Sequence, residues 1–497
     1  MNQRDVEMAA RTLRNQVSNR NAEGPFAPEW GSLGANRVPA WYQDGKFGIF
    51  VHWGVYAVPA FGNEWYPRNM YIPGSREFEH HRATYGDQVT FGYADFIDQF
   101  TAERFDPGAW AETFCRAGAQ FVVPTAEHHD GFPLYESGLT RWHAARMGPR
   151  RDLIGELGEA VRRAGMVYGV SSHRAEHWWF MNGGRTFPSD VQDPARADFY
   201  GPAQSDQLPP NDQYLEDWLL RCCEIVDRYE PQLFWFDWWI EQPAFEPYLR
   251  EFASYYYNRA ADWRREVAIN FKHRAFPQGV GVFDVERGQL AGIRQDFWQT
   301  DTAVAKNSWG YTHNNDYKQP ADLIGDLVDI VSKNGALLLN VGPRADGTIP
   351  EEDMAVLNSI GSWLRVCGEA VYGTRPWLIF GEGPTEVIEG SFQDSARSPF
   401  TAADLRFTQR TSVSDGRSRS LLYVTALAVP RDRKLAITTL GASSMHGLRT
   451  VKGISLVTGG WRDEPPLEYE VTDNALVVRL PDTLPAEHAV SIRIEAD

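Results

Sequence analysis

Cysteine is scarce, with four in 497 residues. Cys222 and Cys223 are adjacent, and Cys115 and Cys367 stand far from them, so no disulfide framework can be written. All four are expected as buried free thiols. Long apolar runs are missing too. A membrane helix requires roughly 18–20 apolar residues, and the longest stretches here, such as 336–339, are strand-sized. Basic charge is in deficit: 49 Lys and Arg face 66 Asp and Glu, a net of −17. Such a surface repels phosphate backbones and anionic lipid, so neither nucleic acid nor membrane is expected as a partner. Residues 1–7 are polar and acidic and lack the apolar core of a secretory signal, so a cytoplasmic location is expected. Gly-x-Ser-x-Gly, phosphate-cradling glycine loops, internal repeats and low-complexity tracts are all absent.

Aromatic residues are abundant, at 13% with 18 tryptophans. Their faces pack against the C–H faces of sugars, and the indole N–H can bind a hydroxyl. The chain reads as a polar arm over 1–30, with a short amphipathic helix near 6–13. A large α/β unit spans 31–374, and a β-rich unit spans 375–497. Within the α/β unit, strands are expected at 47–52, 121–125, 167–171, 233–237, 267–270, 281–285 and 337–340. Helices are expected at 106–117, 153–164, 212–229, 321–333 and 351–367. Their start signals are Asp106-Pro107, Asp152, Asn211 or Asp212, Pro320 and Pro350. Seven such units, without a dinucleotide-type glycine turn, predict a (β/α)8-like barrel. The long inserts at 62–92 and 174–210 lack periodicity and are expected to serve or cover a site. After Arg375-Pro376-Trp377 the short alternating runs predict a C-terminal antiparallel β-sandwich.

In a parallel barrel the active site lies at the C-terminal rim. Reading each strand to its end gives His52-Trp53, Glu127-His128-His129-Asp130, Ser172-His173, Asp237, Lys272 and Glu286. Ionisable groups thus gather at one edge. Asp237 ends Leu233-Phe234-Trp235-Phe236-Asp237-Trp238-Trp239, a carboxylate among aromatics, which is costly unless it does work. A carboxylate pair is the requirement of glycoside hydrolysis. Glu286 is the candidate partner and Asp284 its chief rival; Glu241, Glu246, Asp296 and Asp301 are weaker alternatives. Adjacent histidines on a strand face opposite ways, and no companion ligand motif accompanies them, so no metal is expected. Neutral imidazoles at His52, His128 and His129 suit sugar hydroxyls, since each both donates and accepts.

Six segments carry a resemblance to a known family. They are Trp41-Tyr42 with Lys46-Phe47-Gly48-Ile49-Phe50-Val51-His52-Trp53-Gly54-Val55-Tyr56, then Asn63-Glu64-Trp65-Tyr66, Glu127-His128-His129-Asp130-Gly131-Phe132, Trp235-Phe236-Asp237, Ser308-Trp309-Gly310-Tyr311 and Leu338-Leu339-Asn340-Val341-Gly342-Pro343. In this order they resemble the α-L-fucosidases of glycoside hydrolase family 29 over roughly 40–375. The resemblance implies a retaining mechanism with Asp237 as nucleophile and a fucosylated carbohydrate as substrate. It implies no metal or organic cofactor. His52, Glu64, Trp65, His128 and His129 match positions that bind the fucose hydroxyls, and Trp235 and Trp309 would line the pocket. The family's acid/base varies in position, so Glu286 is assigned by spacing. Two departures stand out. Where many members carry a Tyr pair, this chain has Ser171-Ser172-His173-Arg174, with His173 or Ser172 as the substitute contact. Where many carry an Arg, it has Phe271-Lys272-His273-Arg274, with Lys272 a point charge in place of a planar fork. Readings kept beside this one are a hydrolase of a related sugar, such as an α-L-galactoside, and a non-catalytic fucose-binding protein. A homo-oligomer is left open.

Overall fold

Apolar, β-branched and aromatic runs build a closed barrel of eight parallel strands in the order β1 to β8. These are β1 (Phe47–Val51), β2 (Phe121–Glu127), β3 (Val167–Ser172), β4 (Leu233–Phe236), β5 (Ala268–Phe271), β6 (Val282–Glu286), β7 (Trp298–Ala303) and β8 (Gly335–Val341). The computed structural model describes residues 3–394, 398–414, 417–446, 451–460 and 466–496. One strand, β7, was not expected; the other seven match the expected runs to within a few residues. The barrel interior is packed by Phe50, Phe121, Val123, Leu233, Trp235, Val282 and Leu338. Glycine is required at Gly48, where a Cβ would fall 2.2 Å from the Phe121 ring.

The longer helices are α1 (Gln3–Glu23), α2 (Pro107–Arg116), α3 (Leu153–Arg163), α4 (Asp212–Tyr229), α5 (Glu246–Trp263), α6 (Pro320–Ser332) and α7 (Glu351–Cys367). Three start as their caps predict. The side chains of Asp106, Asp152 and Asn211 accept from the amides of Ala109, Gly155 and Tyr214 at 2.9–3.0 Å. The arm corrects the expectation of a short helix near 6–13. Helix α1 spans 21 residues and lies on α4 and α5, with Arg14 paired to Glu216 and Glu251 and Arg20 paired to Asp262. No helix separates β5 from β6 or β6 from β7, so the barrel is not a strict eightfold repeat. None of the helices among the described residues is long and apolar enough to cross a membrane.

The C-terminal unit stacks two antiparallel sheets. One has the order β13-β16-β11-β10-β9 and the other β12-β15-β14. The strands are β9 (Arg375–Glu382), β10 (Leu405–Ser414), β11 (Arg417–Ala426), β12 (Lys434–Ile437), β13 (Val451–Leu456), β14 (Tyr469–Val471), β15 (Leu476–Arg479) and β16 (Val490–Ala496). Phe407, Val424, Ile454 and Ile492 from the larger sheet meet Leu435, Ile437, Leu476 and Val478 from the smaller one, closing a sandwich core. All four cysteines are free, but Cys115 is exposed on α2, which corrects the expectation that all four are buried.

Candidate active site

Eleven of the candidate residues line one cavity of about 530 Å³ at the C-terminal mouth of the barrel, and Ser172 is not among them. The eleven are His52, Glu64, Trp65, His128, His129, His173, Trp235, Asp237, Lys272, Glu286 and Trp309. Parallel strands end together, so the first residues past β1 to β5 and the last residue of β6 converge on the axis. The loop after β1 supplies Glu64, whose Oε2 accepts from the Ser308 hydroxyl at 3.0 Å and the Trp309 amide at 2.8 Å. That carboxylate ties the β1 loop to the β7 loop.

Asp237 is buried and fully partnered. The Trp238 amide donates to its Oδ1 at 2.8 Å, Lys272 Nζ lies 3.2 Å from Oδ1, and His173 Nδ1 lies 2.9 Å from Oδ2. Burial alone would raise its carboxyl, but the Lys272 ammonium and the His173 N–H outweigh burial and hold it well below the usual carboxylate range. Asp237 is therefore an anion at neutral pH. Glu286 behaves oppositely. Burial and the charge of Asp237 push its carboxyl up against the pull of Lys272. Lys272 Nζ reaches Glu286 Oε2 at 2.6 Å. Since one ammonium touches both acids, those two oxygens can be no farther apart than the 3.2 and 2.6 Å contacts laid end to end, about 5.8 Å. Two acids with pKa values pushed apart across such a gap can act as nucleophile and proton donor.

Four of the five rivals fall elsewhere. Asp284 lies beneath the cavity, where its Oδ2 accepts from Trp235 Nε1 at 3.2 Å and from Gln299 Nε2. Glu241 binds His273 at 3.2 Å, Glu246 accepts from Trp30, and Asp296 accepts from Gln278. Asp301 does line the cavity, 3.5 Å from Lys272. Burial and neighbouring Asp284 drive it well above the carboxylate range, so it holds a proton.

The histidines divide by charge. Burial keeps His52, His128 and His173 neutral, with His173 lowered to about 4. His52 Nδ1 lies 2.7 Å from Asn340 Oδ1. Because the amide oxygen can only accept, Nδ1 carries the hydrogen and Nε2 is left as an acceptor. His129 differs. Burial would lower it, but Glu176 and Asp237 together raise it to about 9. Its Nδ1 is 3.3 Å from Glu176 and its Nε2 is 3.6 Å from Asp237. Contrary to the strand-face expectation, both His128 and His129 line the cavity, because β2 ends at Glu127 and they sit on the loop beyond it. Candidate ligand atoms of His52, His128 and His173 lie within 4.8 Å of one another, as do those of His129, His173 and Asp237. Both nitrogens of His173 are engaged, by Asp237 and by Ser171 at 2.9 Å, so an ion there would have to break one of those bonds.

Three participants went unread in the sequence. Asn69 and Glu176 lie on the aperiodic inserts, and Phe392 comes from the second domain. Length alone marked the inserts as functional; nothing local marked Phe392.

The family profile described as alpha-L-fucosidase matches residues 13–369. The tissue alpha-L-fucosidase of Rattus norvegicus is 33% identical over 385 residues, covering 75% of this chain and 78% of the relative. Two structures of Thermotoga maritima alpha-fucosidase are each 29% identical and cover 94% of this chain. The complex with a mechanism based inhibitor has a TM-score of 0.73 and is covered to 99%. The complex with fucose has a TM-score of 0.71 and is covered to 100%. The carboxylate pair, the barrel mouth that holds it and these likenesses agree: the chain belongs to the α-L-fucosidases of glycoside hydrolase family 29.

Proposed function

We propose that the chain is a retaining exo-fucosidase that releases terminal α-L-fucose from oligosaccharides. Asp237 attacks the anomeric carbon as the bond to the leaving oxygen breaks, and Glu286 gives that oxygen its proton. A covalent β-fucosyl ester on Asp237 results. Esterification removes the anionic charge that helped hold Glu286 protonated, so its affinity for a proton falls and it can take one from water. Water then attacks the anomeric carbon, Asp237 departs, and Glu286 regains its proton. Neutral His52 offers its Nε2 as an acceptor and neutral His128 offers a donor and an acceptor to the hydroxyls, His173 holds Asp237, and Trp235 and Trp309 offer apolar surface to the C5 methyl.

The shared Lys272 carries this reading. A limit of about 5.8 Å between the two facing carboxylate oxygens lies near the ~5–5.5 Å of a retaining pair and below the ~6.5–9.5 Å of an inverting one. Asp237→Gly is expected to lower turnover of an aryl fucoside by about 10³-fold or more, with azide partly restoring it as fucosyl azide. Glu286→Ala is expected to cost most on poor leaving groups. The first sugar seen by NMR should be the α anomer; a β anomer formed first would defeat the proposal. Comparing aryl α-L-fucoside with aryl α-L-galactoside tests the choice of sugar.

A further inference from the structure

After β9, residues 383–394 leave the sandwich and reach the barrel mouth, where they lie along the end of β6 and the residues just past it. Gly390 N donates to Gln289 O at 3.0 Å, Phe392 N to Glu286 O at 2.8 Å, and Asp394 N to Arg287 O at 3.0 Å. The Glu389 carboxylate accepts from Ala291 N at 3.1 Å. Asp394 is pinned in turn by Lys318, and by Thr302 at 2.8 Å. The backbones approach so closely that a Cβ on Gly288 would lie 1.8 Å from Gly390 O. This anchoring holds Phe392 in an otherwise unfavourable state. Its φ is 60°, a left-handed conformation that bulky side chains rarely adopt. The residue is 64% exposed, yet it lines the cavity together with Glu286, Trp238 and His273.

An acid that protonates a leaving oxygen must stand on the leaving-group side of the scissile bond. Phe392, whose amide is bonded to the Glu286 carbonyl, lies beside that acid at the same cavity. From this placement we propose that Phe392 is the platform for the leaving group: its ring stacks on the C–H face of a pyranose attached to the fucose. The second domain thereby selects glycans, in which fucose is linked to another sugar ring, over fucosides of small alcohols. The proposal rests on the fucosidase reading and adds the class of aglycone.

The test compares two substrates that both need the proton of Glu286 and differ in the ring, a fucosyl disaccharide and methyl α-L-fucoside. For Phe392→Ala, the ratio of kcat/KM on the disaccharide to that on the methyl fucoside is expected to fall about tenfold, mostly through KM, a loss on the scale of one aromatic contact. Phe392→Trp should keep the ratio, and Phe392→Leu should lose most of it. An unchanged ratio overturns the platform, whether both rates fall together, as misplacement of Glu286 would cause, or neither falls. If the unaltered protein cleaves no fucoside at all, the fucosidase reading fails, an outcome separate from a Phe392→Ala ratio that stays constant in an active enzyme.

Discussion

Lys272 sets the charge balance of the site. Its buried ammonium meets Asp237, Glu286 and Asp301 and lies 4.8 Å from the centre of the Trp235 ring. It lowers the pKa of both Asp237 and Glu286, so removing it raises both. Lys272→Met is therefore expected to move both limbs of the pH profile of kcat/KM to higher pH and to lower its maximum by about 10²–10³-fold. Lys272→Arg should keep the limbs near their original positions. A profile lowered by Met but unmoved along the pH axis would contradict this. Lys46 makes a second case. It is fully buried, its Nζ has no hydrogen-bond partner, and burial lowers its pKa from the usual 10.5 to about 7. Between those values the unfolded chain binds more protons than the folded one, so this residue's penalty is full below pH 7 and fades as pH rises toward 10.5. Lys46→Met is expected to stabilise the fold by about 1–3 kcal/mol at pH 6 and by much less at pH 10, as read by urea unfolding. An equal gain at both would refute the cause. Asp237 was legible because a carboxylate among aromatics demands a reason, and the histidines because they follow strand ends. Glu176 was not, because its partner His129 is met across two loops.

At the scale of elements, β7 was hidden by its own chemistry. Trp-Gln-Thr-Asp-Thr-Ala is polar on both sides. Gln299 binds Asp284 within the barrel, while Thr300 donates to Gly288 O and Thr302 to Asp394. Neither an apolar run nor an alternation survives such pairing. Helix α5 was missed although Pro247 stands in its first turn, since the bulk of its buried face is aromatic, from Phe252, Tyr255, Tyr256 and Tyr257, with Leu249 its one large aliphatic residue. Helix α1 buries only Leu13 and Val17 and is held by ion pairs with distant helices, so its length left little local trace. The caps of α2, α3 and α4 were legible because each is a local bond between a side chain and an amide three residues on. Where β6 ends, Gly288 permits the backbone approach to Gly390. Gly288→Ala is expected to push that segment outward, lowering stability by about 1–3 kcal/mol and slowing cleavage of poor leaving groups more than activated ones. Thermal melting and paired kinetics would read both; an unchanged melting temperature would count against the packing argument.

At the scale of the molecule, the sandwich shares buried charge with the barrel. Asp329 on α6 accepts from Arg406 on β10 at 2.5 Å and pairs with Lys333 at 2.7 Å, and none of the three is more than 3% exposed. Glu369, just past α7, takes Tyr423 at 2.7 Å and Arg493 at 3.0 Å. Trp363 Nε1 donates to Ala489 O at 3.0 Å. Pulling the sheets away would strip Asp329 of one of its two cationic partners, leaving Lys333 alone, at a cost of a few kcal/mol for a buried charge network that is broken. Heat therefore cannot peel off the small domain while the large one stands. Scanning calorimetry is expected to trace one endotherm for the whole chain, and Asp329→Asn to broaden or split it; two resolved peaks in the unaltered protein would mean that the halves melt independently.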